Sequence, residues 1–433
     1  MPVPLSSVAR MMVRKFTRSG FSRRFLLATV YLLSIIGIVA SGGGGDTSWL
    51  FPLWIPTDVV VTDIDGDDLP DVITLARLST SISHDEGRLV VYRQTSPGVF
   101  APPDHYVVGT YPWKLALDDI DGNGLLDLLV ADPDSQAVWL LLQNTGNPGK
   151  LLPAQQIASG ILAYEAAIAD LNSDGVPDIA IADHLQASNR IVLLYQDPSS
   201  RGTFLAAVDF VLPGTAFNVT TGELNQDGRP DLIAWIYLAP TGYTPNGELA
   251  LSLQQANGTL DAVTTLAPQT GLNVGRLAIQ DYDGNGRNDL FVFFTPFDTD
   301  YRAKLTVLLQ ETQPGTFASP VDTSLAGIQG IDDATFADLN GDGRPDVAVA
   351  GFFPVGSPST VQSRFNLFTQ SGNGAFALAG AYTMPIAVSR LAAGDIDRDG
   401  LNDLVVLGGD NRCLIVIQSH SVPGTFNAPY FLN

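Results

Sequence analysis

Short apolar runs recur along the whole chain, each bounded by turn-forming residues and none showing a helical period. Leu115-Ala116-Leu117, Leu128-Leu129-Val130-Ala131 and Val138-Trp139-Leu140-Leu141-Leu142 follow one another. Ile179-Ala180-Ile181-Ala182, Leu305-Thr306-Val307-Leu308-Leu309 and Val347-Ala348-Val349-Ala350 repeat the arrangement further on. Runs this short, rich in β-branched and aromatic residues, read as strands. A nine-residue acidic loop separates the first run of each unit from the second, and a variable stretch separates the second from the third. A glycine-centred turn follows the third, around Gly98, Gly149, Gly202, Gly258, Gly315, Gly374 and Gly424. Each unit is therefore about four antiparallel strands.

The acidic loops begin at Asp63, Asp119, Asp170, Glu223, Asp281, Asp338 and Asp395, 51 to 58 residues apart. A period of that size marks a repeat architecture in which each unit is one supersecondary element. The expected fold is all-β: a seven-bladed β-propeller of four-stranded antiparallel blades, with the acidic loops between strands 1 and 2. Radial repetition protects strand edges. Acidic loops and glycine turns then share one face, and the more variable 2–3 and 4–1 connections share the other. The propeller is placed at residues 49–433. The stretch Trp49–Trp54 and the terminal Phe426–Phe431 both match strand positions, so the two ends are expected to meet in the last blade.

Oxygen-bearing side chains occupy positions 1, 3, 5 and 9 of every loop. The sets are Asp63/Asp65/Asp67/Asp71, Asp119/Asp121/Asn123/Asp127, Asp170/Asn172/Asp174/Asp178, Glu223/Asn225/Asp227/Asp231, Asp281/Asp283/Asn285/Asp289, Asp338/Asn340/Asp342/Asp346 and Asp395/Asp397/Asp399/Asp403. Calcium takes six to eight hard oxygens, in EF-hand loops from positions 1, 3, 5 and the position-7 carbonyl. The corresponding carbonyls here belong to Leu69, Leu125, Val176, Arg229, Arg287, Arg344 and Leu401. Position 6 is glycine in six loops, as a positive-φ turn requires. Loop 1 has Asp68 there and Gly66 at position 4; aspartate tolerates the left-handed region better than most residues. Loop 4 departs by carrying Glu223 at position 1.

Asp, Asn and Gly also form plain turns, but seven loops with one oxygen spacing argue for a cation. Magnesium prefers a compact octahedral shell, and zinc or copper would call for Cys or His, which no loop contains. The ligand positions hold about half of the chain's 45 acidic residues, within a formal net charge of −22. Up to seven structural Ca²⁺ ions are expected. The repeated DxDxDGxxD-type loop resembles the FG-GAP/VCBS repeat family, whose members are similar to the propeller of integrin α subunits. That resemblance implies calcium sites, extracellular binding or adhesion, and no particular ligand.

Residues 1–24 carry six basic side chains and no acidic one, and the apolar run Phe25–Ala40 follows, then Ser41 and Gly42–Gly45. This is a signal-peptide pattern, assigned to residues 1–40 with an uncleaved anchor as the alternative and a Gly-rich linker at 41–48. Ser41 stands where a lipidated cysteine would have to be, which argues against lipidation. Export to the periplasm, cell surface or medium follows. Cys413 is alone, so calcium takes the place of disulfides as the staple. So acidic a chain is not expected to bind nucleic acid, nor a membrane beyond an N-terminal anchor; a monomer is expected.

No nucleophile, phosphate-loop or catalytic metal motif stands out, and His84, His105, His184 and His420 read as solvated. The favoured reading is a non-catalytic module binding protein or glycan on the face opposite the calcium loops. The candidate contacts there are Tyr237, Tyr243, Phe297, Tyr301, Phe352 and Phe353. The alternative is a polysaccharide-active enzyme, a lyase or hydrolase, on the same scaffold.

Overall fold

The computed structural model describes residues 53–79, 86–185, 188–238, 246–270, 272–296, 303–325, 331–355, 360–370, 375–409 and 412–432. The N-terminal basic and apolar segment lies outside this range. Among the described residues, no helix is long and apolar enough to cross a membrane.

The strands form seven four-stranded antiparallel sheets, each taken from one continuous stretch of chain in the order 1-2-3-4. Blade 1 comprises Leu53–Thr62, Asp71–Ser79, Gly87–Tyr92 and Asp104–Val107, and blade 7 comprises Val388–Gly394, Asp403–Gly408, Arg412–Val416 and Tyr430–Phe431. The first strands touch one another in cyclic order, with Leu53–Thr62 packed on Val388–Gly394 to complete the ring. The fold is the seven-bladed β-propeller the repeat predicts. Its closure differs from expectation among the described residues: blade 7 draws all four strands from Val388–Phe431, and residues 49–52 lie outside the described range. The first described strand is the inner strand of blade 1, the last is the outer strand of blade 7, and apolar packing closes the ring.

That packing explains the strand sequences. Second strands such as Asp127–Asp132, Asp178–Asp183 and Asp403–Gly408 are buried throughout, so they read as continuous apolar runs rather than alternating ones. Alternate residues face opposite neighbours. The core is accordingly seven clusters, one at each blade boundary: Ile73, Leu89 and Val130 between blades 1 and 2, for instance, and Val59, Val405 and Ile415 between blades 7 and 1. Cys413 belongs to the last of these and is buried.

Six inner strands carry a β-bulge near the end away from the acidic loops, at Thr57, Tyr164, Phe217, Gly275, Asp332 and Ser389. Bulges re-aim side chains. The residues that follow them, with Lys114 of blade 2, form a polar belt around the axis. Lys114 Nζ donates to Asp58 Oδ1 at 3.0 Å, Asn218 Nδ2 to Glu165 Oε2 at 2.6 Å, and Arg276 to Asp333 Oδ1 at 3.2 Å. Arg390 reaches the Thr57 and Asp332 carbonyls. Burial raises the Glu165 pKa, against the pull of Lys114, Asn218 and Arg276. Burial likewise lifts Asp332 to about 7, with Arg390 opposing.

Candidate metal centres

Every acidic loop bridges the first and second strands of its blade. The position-1 carboxylate organises the turn: Asp63 accepts N–H bonds from Gly66, Asp67 and Asp68 at 2.8, 3.1 and 2.8 Å. Asp119, Asp170, Asp281, Asp338 and Asp395 each accept the position-6 N–H in the same way. Glu223 reproduces this frame, taking the Asn225 N–H at 2.7 Å and that of Gly228. Each loop passes twice through the left-handed region. Position 6 does so as expected, including Asp68 at φ 66°; position 4 does so as well, with Ser173, Gln226 and Arg398 accepting positive φ where the other four loops place glycine.

Position 9 is the buried end of each loop. Asp71, Asp127, Asp178, Asp231, Asp289, Asp346 and Asp403 have no exposed surface. One oxygen of each accepts the position-2 N–H of its own loop at 2.8–3.1 Å. The other accepts, at 2.7–3.0 Å, the backbone N–H of a glutamine at or two residues past the end of the third strand: Gln94, Gln143, Gln196, Gln254, Gln310, Gln370 or Gln418. These glutamines are buried, and the sequence reading missed them. Their recurrence at one repeat position is the signal that reveals them. Desolvation raises the position-9 carboxyls to about 7 for Asp71, Asp178, Asp346 and Asp403 and about 6 for Asp127, Asp231 and Asp289. None of the ion pairs among the described residues reaches them.

Position 5 is the outer rim. Asp67, Asn123, Asp174, Asp227, Asn285 and Asp342 are exposed, and Asp399 is half-buried. One side-chain oxygen of each accepts the N–H of position 7, from Leu69, Leu125, Val176, Arg229, Arg287, Arg344 or Leu401, at 2.8–3.0 Å. These bonds tie the rim to the residues whose carbonyls were expected to face an ion.

Carboxylate oxygens of Asp63, Asp65 and Asp71 lie within 4.8 Å of one another, as do those of Asp119, Asp121 and Asp127, of Asp281, Asp283 and Asp289, and of Asp395, Asp397 and Asp399. Positions 1, 3 and 9 supply the carboxylate group of loops 1, 2 and 5, and positions 1, 3 and 5 that of loop 7. Asn123 and Asn285 stand outside the carboxylate groups of loops 2 and 5. Each is an amide with one oxygen, and that oxygen already holds the Leu125 or Arg287 N–H.

Among the described residues, loops 3, 4 and 6 gather no such carboxylate group, because position 3 is an asparagine that bridges its own loop. In loop 6, Asn340 Nδ2 donates to Asp342 Oδ2 at 3.3 Å and to Asp346 Oδ1 at 3.5 Å, while Asn340 Oδ1 accepts the Asp342 N–H at 2.8 Å. Asn340 and Asp342 are thus paired with each other rather than aimed at a common centre. Asn172 with Asp174 and Asn225 with Asp227 repeat the pairing in loops 3 and 4. An oxygen-only set that gathers several carboxylates around an uncompensated buried one fits a hard divalent cation. Loops 1, 2 and 5 meet that description, whereas loop 7 gathers Asp395, Asp397 and Asp399 without its buried Asp403. Loop 4 fits least well, because Arg229 also pairs with Asp227.

The opposite face carries an aromatic ledge that includes one of the expected residues, Tyr237. Tyr111 stacks on Trp113 with centroids 5.7 Å apart, Trp113 meets Tyr164 edge-on at 5.6 Å, and Tyr164 stacks on Phe217 at 5.8 Å. Tyr237 joins Phe217 at 5.7 Å. All five are half-buried. Arg77 lies 3.9 Å over the Tyr111 ring. His184 is wedged between Tyr164 and Phe217, which corrects its reading as a solvated histidine; His105 and His420 are exposed as expected. Of the other aromatic candidates, Tyr243, Phe297 and Tyr301 lie outside the described residues, as does His84. Phe352 and Phe353 lie in the second strand of blade 6, with their side chains outside the description.

Comparison with known proteins agrees with this repeat. The family described as FG-GAP-like repeat matches residues 119–181, 170–234 and 281–349. Integrin alpha-PS2 of Drosophila melanogaster is 26% identical over 212 residues, which cover 41% of this chain and 15% of that protein. A solved structure titled "Structure of Dos1 propeller" aligns with a TM-score of 0.46 at 15% identity, covering 82% of this chain and 75% of the other. The chain is a seven-bladed β-propeller whose residues 119–234 and 281–349 are similar to FG-GAP-like repeats, and part of it is similar to an integrin α subunit.

Proposed function

We propose that the protein is an exported, calcium-stabilised propeller that acts as a non-catalytic binding or adhesion module for a protein or glycan. The observation that carries the calcium reading is the buried position-9 aspartate, repeated seven times at the end of an oxygen-lined loop, with no cationic side chain paired to it among the described residues. Positions 1, 3, 5 and 9 would hold the ion with the position-7 carbonyls of Leu69, Leu125, Val176, Arg229, Arg287, Arg344 and Leu401. In loops 3, 4 and 6 the ion would have to displace the asparagine amide from the position-5 carboxylate. A bound cation neutralises carboxylates that otherwise repel. At the affinities of extracellular modules, ~1 mM calcium stabilises by roughly 0.4–1.4 kcal/mol per site. Seven sites sum to roughly 3–10 kcal/mol, comparable with a whole domain's stability.

Partner binding is assigned to the aromatic ledge of Tyr111, Trp113, Tyr164, Phe217 and Tyr237, since half-buried aromatics supply rigid contact area at modest entropic cost. Glycan and protein arrays probed with the unmodified chain and with Trp113→Ala test this: binding should fall in the variant while calcium-dependent melting persists. Turnover of an acidic polysaccharide, abolished by changing a carboxylate outside the seven loops, would replace the binding reading with an enzymatic one.

A further inference from the structure

The buried glutamines do more than hold their own loop. Gln370 of blade 6 gives its backbone N–H to Asp346 of its own loop at 3.0 Å and its side-chain amide to the Tyr282 carbonyl of loop 5 at 2.6 Å. The Tyr282 N–H in turn donates to Asp289 at 2.9 Å. Two position-9 carboxylates in adjacent blades are thus joined through one glutamine and one loop residue. Gln143 joins Asp127 to Ile64, and so to Asp71, at 2.8, 2.7 and 3.0 Å. Gln310 joins Asp289 to Leu224 and Asp231. Gln254 bonds Asp231 and the Asp170 carbonyl; that peptide's N–H, on Leu171, donates to Asp178 at 3.0 Å.

Other donors serve the remaining boundaries. Asn402 of loop 7 donates to the Asp338 carbonyl at 3.1 Å, and the same peptide's N–H, on Leu339, donates to Asp346. The Gly98 N–H bonds the Ile396 carbonyl of loop 7 at 3.2 Å. The exception is the boundary of blades 2 and 3, where Gln196 turns its amide to Pro177 within its own loop.

We propose that the calcium loops are not independent sites but links of a hydrogen-bonded relay running from each blade to the preceding one, interrupted between blades 3 and 2. This rests on the calcium reading above. An ion fixes the position-9 carboxylate and the position-2 peptide bonded to it; without the ion the loop's carboxylates repel, and that peptide shifts. A buried amide that loses its partner is costly, so the neighbouring glutamine or asparagine moves with the peptide, and with it the next carboxylate.

Hydrogen exchange of the full chain in calcium tests the relay. Asp397→Ala, which removes a ligand from loop 7, is expected to speed exchange of the loop 6 amides about fivefold or more, within the usual range of inter-site coupling. The transfer should vanish when Asn402→Ala, a half-buried change, is added. Asp174→Ala in loop 3 should leave loop 2 unmoved. Acceleration confined to the altered loop, or transfer that survives Asn402→Ala, overturns the relay. A chain whose loops all exchange equally with and without calcium instead overturns the calcium reading beneath it.

Discussion

The ammonium of Lys114 in blade 2 lies 3.0 Å from Asp58 Oδ1 in blade 1, while the other oxygen of Asp58 accepts the Leu115 N–H at 2.9 Å. Asp58 is 3% exposed in its side chain and Lys114 24%. The pair closes one segment of the axial belt that couples blades independently of any ion. Lys114→Met leaves a nearly buried carboxylate short of its charged donor, at a cost of about 1.5–3 kcal/mol. Denaturant unfolding at saturating calcium should show that loss. The double variant with Asp58→Ala should recover part of it, because no charge is then left unpaired.

The glycine turns bear on the acidic loops of neighbouring blades, and two glycines separate backbone freedom from space. Gly286 has φ +82° and nothing near its missing side chain, whereas a Cβ on Gly258, at φ +79°, would lie 1.9 Å from the Asn172 carbonyl oxygen. Gly286→Ala should cost about 1–2 kcal/mol, the left-handed penalty alone. Gly258→Ala should cost more and should weaken calcium stabilisation, since the clash falls on position 3 of loop 3. Equal losses in a thermal melt would contradict this packing.

The position-9 aspartates give a pH dependence whose sign depends on the ion. Their folded pKa values of about 6–7 lie above the ordinary value near 3.8. Between roughly pH 4 and 7 the metal-free folded chain therefore binds more protons than the unfolded chain, and its stability falls as pH rises. Metal-stripped protein should melt higher at pH 5 than at pH 8. Saturating calcium should reverse the order, because protons compete with the ion for the same oxygens. Parallel pH curves with and without calcium would show that these carboxylates are not ligands.

Loop 4 should be the weakest site. Glu223 replaces the position-1 aspartate, and the Arg229 guanidinium already pairs with Asp227. Asp283→Ala in loop 5 should remove about 0.4–1.4 kcal/mol of calcium-dependent stabilisation, and Asp227→Ala distinctly less. Titration calorimetry on the two variants reads the difference as a lost or retained site.

The strand order and the loops were legible in the sequence because both are local: apolar runs set the strands, and oxygens at alternate loop positions set the turn. The bonds each loop's asparagine makes were not, because they depend on three-dimensional placement: Asn340 pairs with Asp342, and Asn123 and Asn285 hold their own backbone. Position 4 escaped notice because Ser173, Gln226 and Arg398 accept a conformation glycine takes elsewhere, their loops being held by the position-1 carboxylate. Gln94 and its six counterparts were visible as a repeat, but their meaning lies in bonds to loops up to 88 residues away, as for Gln370 and Tyr282. The aromatic ledge was hidden for another reason. Tyr164 and Phe217 stand at bulges of neighbouring blades, and only the packing of one inner strand on the next sets them side by side. At the boundary of blades 7 and 1, apolar packing of Val59 and Val61 on Val405 and Ile415 joins the blades, with no strand exchanged among the described residues.

The most direct test is thermal unfolding of the purified chain at neutral pH with calcium and with excess chelator, paired with metal analysis. Several equivalents of Ca²⁺ per chain and a melting temperature that drops sharply on chelation are the predicted result. A protein that carries no calcium and melts at the same temperature in both buffers would contradict the account.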